Sequence, residues 1–238
     1  MESVHFEIGE TSVTIKSEKE YFDVAKKAIY DARETILKKI EDDVFFKTTF
    51  EPYPVSESDD RLIRRMCEAS ALANVGPMAG VAGAVACCAV ERMSEAGAEF
   101  AIVENGGDIA MKIDRDVVIG LFAGKNKISK IGFMVKKRKG IFGICSSSGK
   151  IGPSISLGDS DICTVISENV ILADCCATSL GNLIGEGGRE RMASALEIIG
   201  GIDGVEGCLA SCGGLVAMDG DLPELVKCDS GRHDRYDF

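Results

Sequence analysis

At 238 residues, with 45% hydrophobic and 27% charged residues and only 5 prolines, the chain is neither disordered nor collagen-like in composition. A net charge of −11 excludes a general nucleic-acid binder, because neutralising phosphate dominates that affinity. Tryptophan is absent, aromatics reach 6% and glycines number 27, so aliphatic and small side chains must build the core.

Residues 3–16 alternate as a hairpin, with Val4, Phe6 and Ile8 answered by Val13 and Ile15 across a Gly9-Glu10-Thr11 turn. Ser17 and Glu20 have the spacing of a capping box. The helix they predict carries Phe22, Ala25, Ile29, Ala32, Ile36 and Ile40 at helical spacing to about Asp42. Phe45–Val55 reads as extended. Ser58 or Asp59 can cap a helix through Leu62, Ile63, Met66 and Leu72, and a small-residue helix spans roughly 77–96.

The second half reads first as strands: 100–103, 109–113, 117–122, 131–135, 141–146 and 163–167. Helices are predicted over 173–184 and 190–199, separated by Gly185-Glu186-Gly187-Gly188, and two last strands flank Gly213-Gly214. No long linker interrupts the pattern, so a single domain over 1–228 is expected, with a polar tail at 229–238. Gly106-Gly107-Asp108-Ile109-Ala110-Met111 echoes Gly213-Gly214-Leu215-Val216-Ala217-Met218, which raises the possibility of a duplicated unit.

The 22 residues between Glu68 and Glu91 carry no charge, a length that could span a bilayer. They are mostly Ala, Gly and Val and are broken by Asn74, Gly76 and Pro77, so a buried helix is expected and no membrane contact. The first residues have neither the basic nor the apolar segment of a secretory leader, and ten cysteines then predict reduced thiols in the cytoplasm. The cysteines lack zinc spacing, and the only histidines are His5 and His233. They read as small buried hydrophobes or, alternatively, as thiol chemistry, with Cys145, Cys208 and Cys212 as candidates.

Four groups of residues could carry chemistry. Asp174 and Thr178 lie i, i+4 on one helix face and offer the hard oxygens that Mg²⁺ accepts; a helix-end charge is the competing account. Asn105, Gly106, Gly107 and Asp108 form a turn through which backbone can approach a ligand closely, or a plain hairpin. Ser146, Ser147, Ser148, Gly149 and Lys150 supply the hydroxyls, glycine and lysine of a phosphate cradle, although the P-loop order is absent. Residues 117–158 contain eight basic residues and no Asp or Glu: Lys125, Lys127, Lys130, Lys136, Lys137, Arg138, Lys139 and Lys150. Such a zone can steer an anion toward the Ser147–Gly149 loop, or can be solvated strand lysines.

In chain order, Gly80-Val81-Ala82-Gly83-Ala84-Val85, Gly106-Gly107-Asp108, the 147–149 loop and Ala173-Asp174-Cys175-Cys176-Ala177-Thr178 resemble the ApbE superfamily. Its characterised members are FAD-dependent FMN transferases that attach flavin to protein threonines with Mg²⁺. The chain is most similar to the cytoplasmic ApbE-like branch, over about residues 60–219. The resemblance implies an α/β (α+β) fold, T-fold-like, with small-residue helices packed on an antiparallel sheet. It also implies that Asp174 and Thr178 match metal ligands, with a backbone carbonyl at Val81 or Ala82 as the third.

Departures from the family pattern qualify the activity. Ala82 stands in place of a lysine, Glu104 in place of an asparagine, and residues 150–165 contain no histidine. The expected function is therefore binding of a flavin nucleotide (FAD or FMN) or a related phosphate-bearing small molecule with Mg²⁺, without efficient flavin transfer. The alternatives are a persulfide-carrying protein of sulfur metabolism and a non-catalytic assembly partner. Oligomeric state is not legible from the sequence.

Overall fold

The computed structural model describes residues 1–121, 130–148, 160–185 and 188–228. An antiparallel sheet of eight strands forms its centre. The strands are β1 (Glu2–Ile8), β2 (Thr11–Ser17), β3 (Ala101–Asn105), β4 (Asp108–Ile113), β7 (Arg138–Ser147), β8 (Ile162–Ser167), β9 (Val205–Cys212) and β10 (Leu215–Gly220). They lie in the sheet in that order. The remaining strands β5 (Val117–Gly120), β6 (Ile131–Val135) and β11 (Glu224–Lys227) form a second sheet, ordered β11-β6-β5. The expected α/β arrangement, helices packed on an antiparallel sheet, is observed.

Alternation along the strands divides the core in two. Ala101, Val103, Ala110 and Cys145 face the helices, whereas Ile102, Ile109, Met111 and Ile144 face the small sheet with Phe133 and Phe142. The helices are α1 (Phe22–Asp42), α2 (Val44–Thr48), α3 (Arg61–Leu72), α4 (Val81–Glu95), α5 (Val170–Ile184) and α6 (Arg189–Gly200). Small residues let α4 and α5 approach closely. A Cβ on Gly80 would stand 2.7 Å from Cys175 Sγ, and one on Gly83 2.9 Å from Asp174 Cβ. Gly143 of β7 likewise lies under α5, its would-be Cβ 3.0 Å from Val170 Cα.

The eight strands fall into two halves of like connectivity: β1-β2, helices, β3-β4, then β7-β8, helices, β9-β10. Gly106-Gly107 and Gly213-Gly214 occupy corresponding hairpin turns, all four with positive φ. The sequence echo thus marks the hairpins. The helices between the hairpins differ, since α4 directly precedes β3 while α6 separates α5 from β9.

Several local expectations are corrected. Ser17 does not cap a helix; it ends β2, and its Oγ donates to the Phe100 carbonyl at 2.7 Å. Helix α1 instead follows a short 3₁₀ turn at Lys19–Tyr21. Part of the predicted extended segment is α2, because the Asp43 side chain accepts from Phe45 N–H at 2.9 Å and starts a helical turn. Asp60 rather than Ser58 or Asp59 caps α3, while Asp59 pairs with Lys39 at 2.7 Å. The uncharged stretch is split at 73–76 into segments bent by 107°, and no single described helix is long and apolar enough to cross a membrane.

Candidate functional site at the junction of the two halves

Four elements meet where β4 pairs with β7. The Gly106-Gly107 turn delivers Asp108 to the first position of β4, opposite Cys145. From the helix layer, Asn169 caps α5 by accepting from Leu172 N–H at 3.3 Å, which starts the helix earlier than the sequence predicts. Asp174 therefore lies in the second turn of α5 and is buried, so it is not a charge at the helix end.

The geometry joins Asp108 to Asp174. Gly83 N–H donates to Asp174 Oδ2 at 2.7 Å, and Ser146 N–H donates to Asp108 Oδ1 at 3.2 Å. The two carboxyl groups also hydrogen-bond to each other, which requires a proton on one of them. Burial pushes Asp108 up to about 7, opposed by the Ser146 amide and the Cys145 thiol. Asp174 is held well above the usual carboxylate range, by burial first and by the Asp108 charge second. The two carboxyl groups titrate together, not independently.

Not all of the remaining predicted residues share a face with this pair: Asn105 reaches the start of α4, whereas Ser146 alternates onto the Ile144 face, away from the helices. Asn105 Nδ2 donates to the Ala82 carbonyl at 3.2 Å, tying the β3–β4 turn to the start of α4. A carbonyl has a second lone pair, so this bond leaves Ala82 able to accept again. Thr178 lies one turn beyond Asp174, half-buried on the same helix face. Ser146 Oγ and Thr164 Oγ1 are 2.9 Å apart. Ser147 Oγ and Ser160 Oγ are buried without a hydrogen-bond partner among the described residues. Ser148 ends the described part of this strand, and Gly149 and Lys150 lie outside the described residues.

Sequence reasoning named Asp108 and Asp174 separately but missed their contact. No local spacing joins residues from β4 and α5; only the packing of α5 on the sheet does.

The described part of the basic zone lies away from the serine loop. Arg138 and Ser147 occupy opposite ends of β7. Lys136 pairs with Asp116 at 2.8 Å, and Arg138 makes a two-pronged pair with Glu206 at 2.6 and 2.7 Å. Lys125 and Lys127 lie outside the described residues. The thiol alternative gains no support, since nine of the ten cysteines are buried and Cys88 is half-buried. Burial pushes the thiols up, to about 11 at Cys67 and about 12 at Cys208, against the lowered values reactive cysteines need.

Residues 1–197 match the family model described as AbpE bacteria. The chain belongs to that family. Similar proteins carry the name UPF0280 protein. One from Methanosarcina acetivorans is 40% identical over 226 residues, covering 94% of this chain and 89% of that one. Another from Archaeoglobus fulgidus is 42% identical over 233 residues, covering 97% of each. Among solved structures, the flavin transferase ApbE from Vibrio cholerae aligns with a TM-score of 0.55 at 14% identity, over 96% of this chain and 97% of that one. The apo flavinyl transferase ApbE of Pseudomonas stutzeri aligns with a TM-score of 0.58 at 12% identity, over 92% and 93%. At such identities the likeness is one of fold.

Proposed function

We propose that this family member binds a flavin nucleotide or a related phosphate-bearing small molecule, together with Mg²⁺, at the Asp108–Asp174 junction, and that it is a poor flavin transferase. The observation that carries this is the contact of the buried Asp174 carboxyl group with the half-buried Asp108 carboxyl group. Such a pair is unfavourable in the empty fold and is relieved by a divalent cation as well as by a proton.

Among the described residues, no three or more His, Cys, Asp or Glu side chains are grouped to hold a metal. The donors present are of another kind and suit Mg²⁺: the Asp174 and Asp108 carboxylates, the Thr178 hydroxyl and the Ala82 carbonyl are all hard oxygens. Mg²⁺ commonly takes one or two carboxylates and completes its shell with water and ligand phosphates. A bound Mg²⁺ would supply charge neutralisation for a diphosphate. Asn105 orients the Ala82 carbonyl, Gly83 N–H orients Asp174, and the buried Ser147 hydroxyl has no hydrogen-bond partner among the described residues. Glu104 adds negative charge beside Asp108, a feature that works against a second anionic group there.

Thermal unfolding with and without Mg²⁺ tests the metal. At about 100 Kd of ligand the folded state gains about 2.7 kcal/mol. That gain is expected in wild type and absent in Asp174→Ala; identical melting in both would remove the metal from the proposal. For activity, incubation with FAD, Mg²⁺ and a threonine-bearing acceptor should leave the acceptor unmodified by mass spectrometry. A stoichiometric FMN adduct would show the chain to be a transferase.

A further inference from the structure

The β4–β7 seam has a second end, and it carries a different chemistry. There Ile113 pairs with Arg138, and the register shifts between Met111 and Ile113. Such a bulge re-aims side chains. On β7 the shift falls at Gly140, whose φ is +85° and whose Cβ position has nothing within 4 Å. A cleft of about 480 Å³ opens at this point, bounded by Glu99 and the end of β4 on one side and by Lys137–Gly140 on the other.

Its charges are unequally matched. Lys112, Lys137, Arg138 and Lys139 line it against Glu99 and Asp114. Both carboxylates are taken: Glu99 pairs with Lys112 at 3.3 Å, and Asp114 with Arg115 at 2.7 Å. Arg138 is neutralised from outside the cleft by Glu206, stacks 3.8 Å over the Phe142 ring, and keeps a buried Nε without a hydrogen-bond partner. Lys137 and Lys139 are exposed, and among the described residues no carboxylate pairs with either ammonium within 4.0 Å. Lys139, and Lys137 with only the longer-range charges of Asp114 and Asp116 near it, thus border one concavity in a chain of net charge −11. Lys136 and Arg138, which alternate with them, have their own partners.

We propose that this cleft is a second anion site, distinct from the Asp108–Asp174 junction, that takes a phosphate-bearing small molecule with at least two negative charges. The volume exceeds what a bare phosphate fills and falls in the range of small-molecule pockets. The ion pairs already in place hold Lys112 and Arg138 rigid, while Lys137 and Lys139 provide the adaptable charges. Nothing in this site requires the metal or the flavin of the other end.

The test uses metal-free protein titrated with pyrophosphate and, separately, with ADP, following backbone amide resonances by NMR and affinity by calorimetry. Saturable shifts are expected at Lys112–Asp114 and Lys137–Gly140. The Lys137→Ser/Lys139→Ser double variant, which changes only exposed side chains, should keep its melting temperature and weaken binding at least about tenfold, with a shallower salt dependence. ADP binding more tightly than pyrophosphate assigns the cleft to a nucleotide; equal affinities assign it to the phosphate group alone. No saturable shift at Lys137–Gly140 with either probe, or unchanged affinity in the double variant, overturns the proposal. Shifts confined to Asn105–Asp108 would also overturn it, without touching the reading of the junction.

Discussion

Replacing Asp108 by Asn makes the carboxyl pair measurable without any ligand. Asp108 is held at about 7 in the folded chain against an ordinary 3.8. Between these values the folded state keeps a proton that the unfolded state has released, so stability falls as pH rises. The contribution is intact below about pH 4 and is lost as pH passes 7. A gap of about 3 in pKa corresponds to a ceiling of about 4 kcal/mol. An Asn side chain is nearly isosteric, accepts from Ser146 N–H with its oxygen and can donate to Asp174 with its nitrogen, yet it never ionises. In EDTA at pH 8, Asp108→Asn should therefore be more stable than wild type by about 1–4 kcal/mol. For a chain of this length each kcal/mol raises Tm by about 2–4 °C. At pH 4 the difference should shrink toward zero. Melting followed by circular dichroism at both pH values decides it. A variant equal to or weaker than wild type at pH 8 would show that the carboxyl pair imposes no electrostatic cost.

Two further substitutions test the packing that positions the site. A Cβ on Gly76 would lie 2.0 Å from the Thr49 carbonyl oxygen, which is backbone and cannot swing aside. Gly76→Ala should cost at least about 2 kcal/mol in urea unfolding, and a cost near zero would mean that the 49–50 segment shifts freely. In Gly83→Ala the new methyl meets Asp174 Cβ at 2.9 Å and the Val170 carbonyl at 3.0 Å. Crowding of about 1–3 kcal/mol outweighs the gain of about 1 kcal/mol in helix propensity, so mild destabilisation and a weakened Mg²⁺ response are expected from melting curves.

The elements that were legible from sequence are those whose periodicity is set by one buried face. β2 and the long stripe of α1 follow the alternation and the helical spacing of Val13, Ile15, Ala25, Ile29 and Ile36, all buried. Elements decided by a single polar side chain were not. Asp43 turns aromatic residues with strand propensity into α2, and Ser17 spends its hydroxyl on Phe100 instead of a helix N-terminus. The four-residue β11 has too few positions to alternate and is defined by its pairing with β6. In the candidate site, residue types were legible and partnerships were not. The Asp-x-x-x-Thr spacing named Asp174 and Thr178, but burial of Asp174 beneath α4 and its contact with Asp108 are products of tertiary packing.

The duplicated topology sets both proposed sites on one strand pair. Each half supplies a complete four-stranded sheet, and β4 and β7 are the strands by which the halves join. Within a half, β2-β3 and β8-β9 pair across intervening helices at greater sequence separation than the seam itself, so it is position between the halves that sets β4-β7 apart. One end of the seam brings two carboxyl groups together, and the other gathers lysines around a bulge; both are arrangements a ligand of opposite charge would relieve. On the two proposals made above, a cation binds where Asp108 faces Cys145 and Asp174 and an anion where Ile113 faces Arg138, so the same strand pair would hold both at fixed separation.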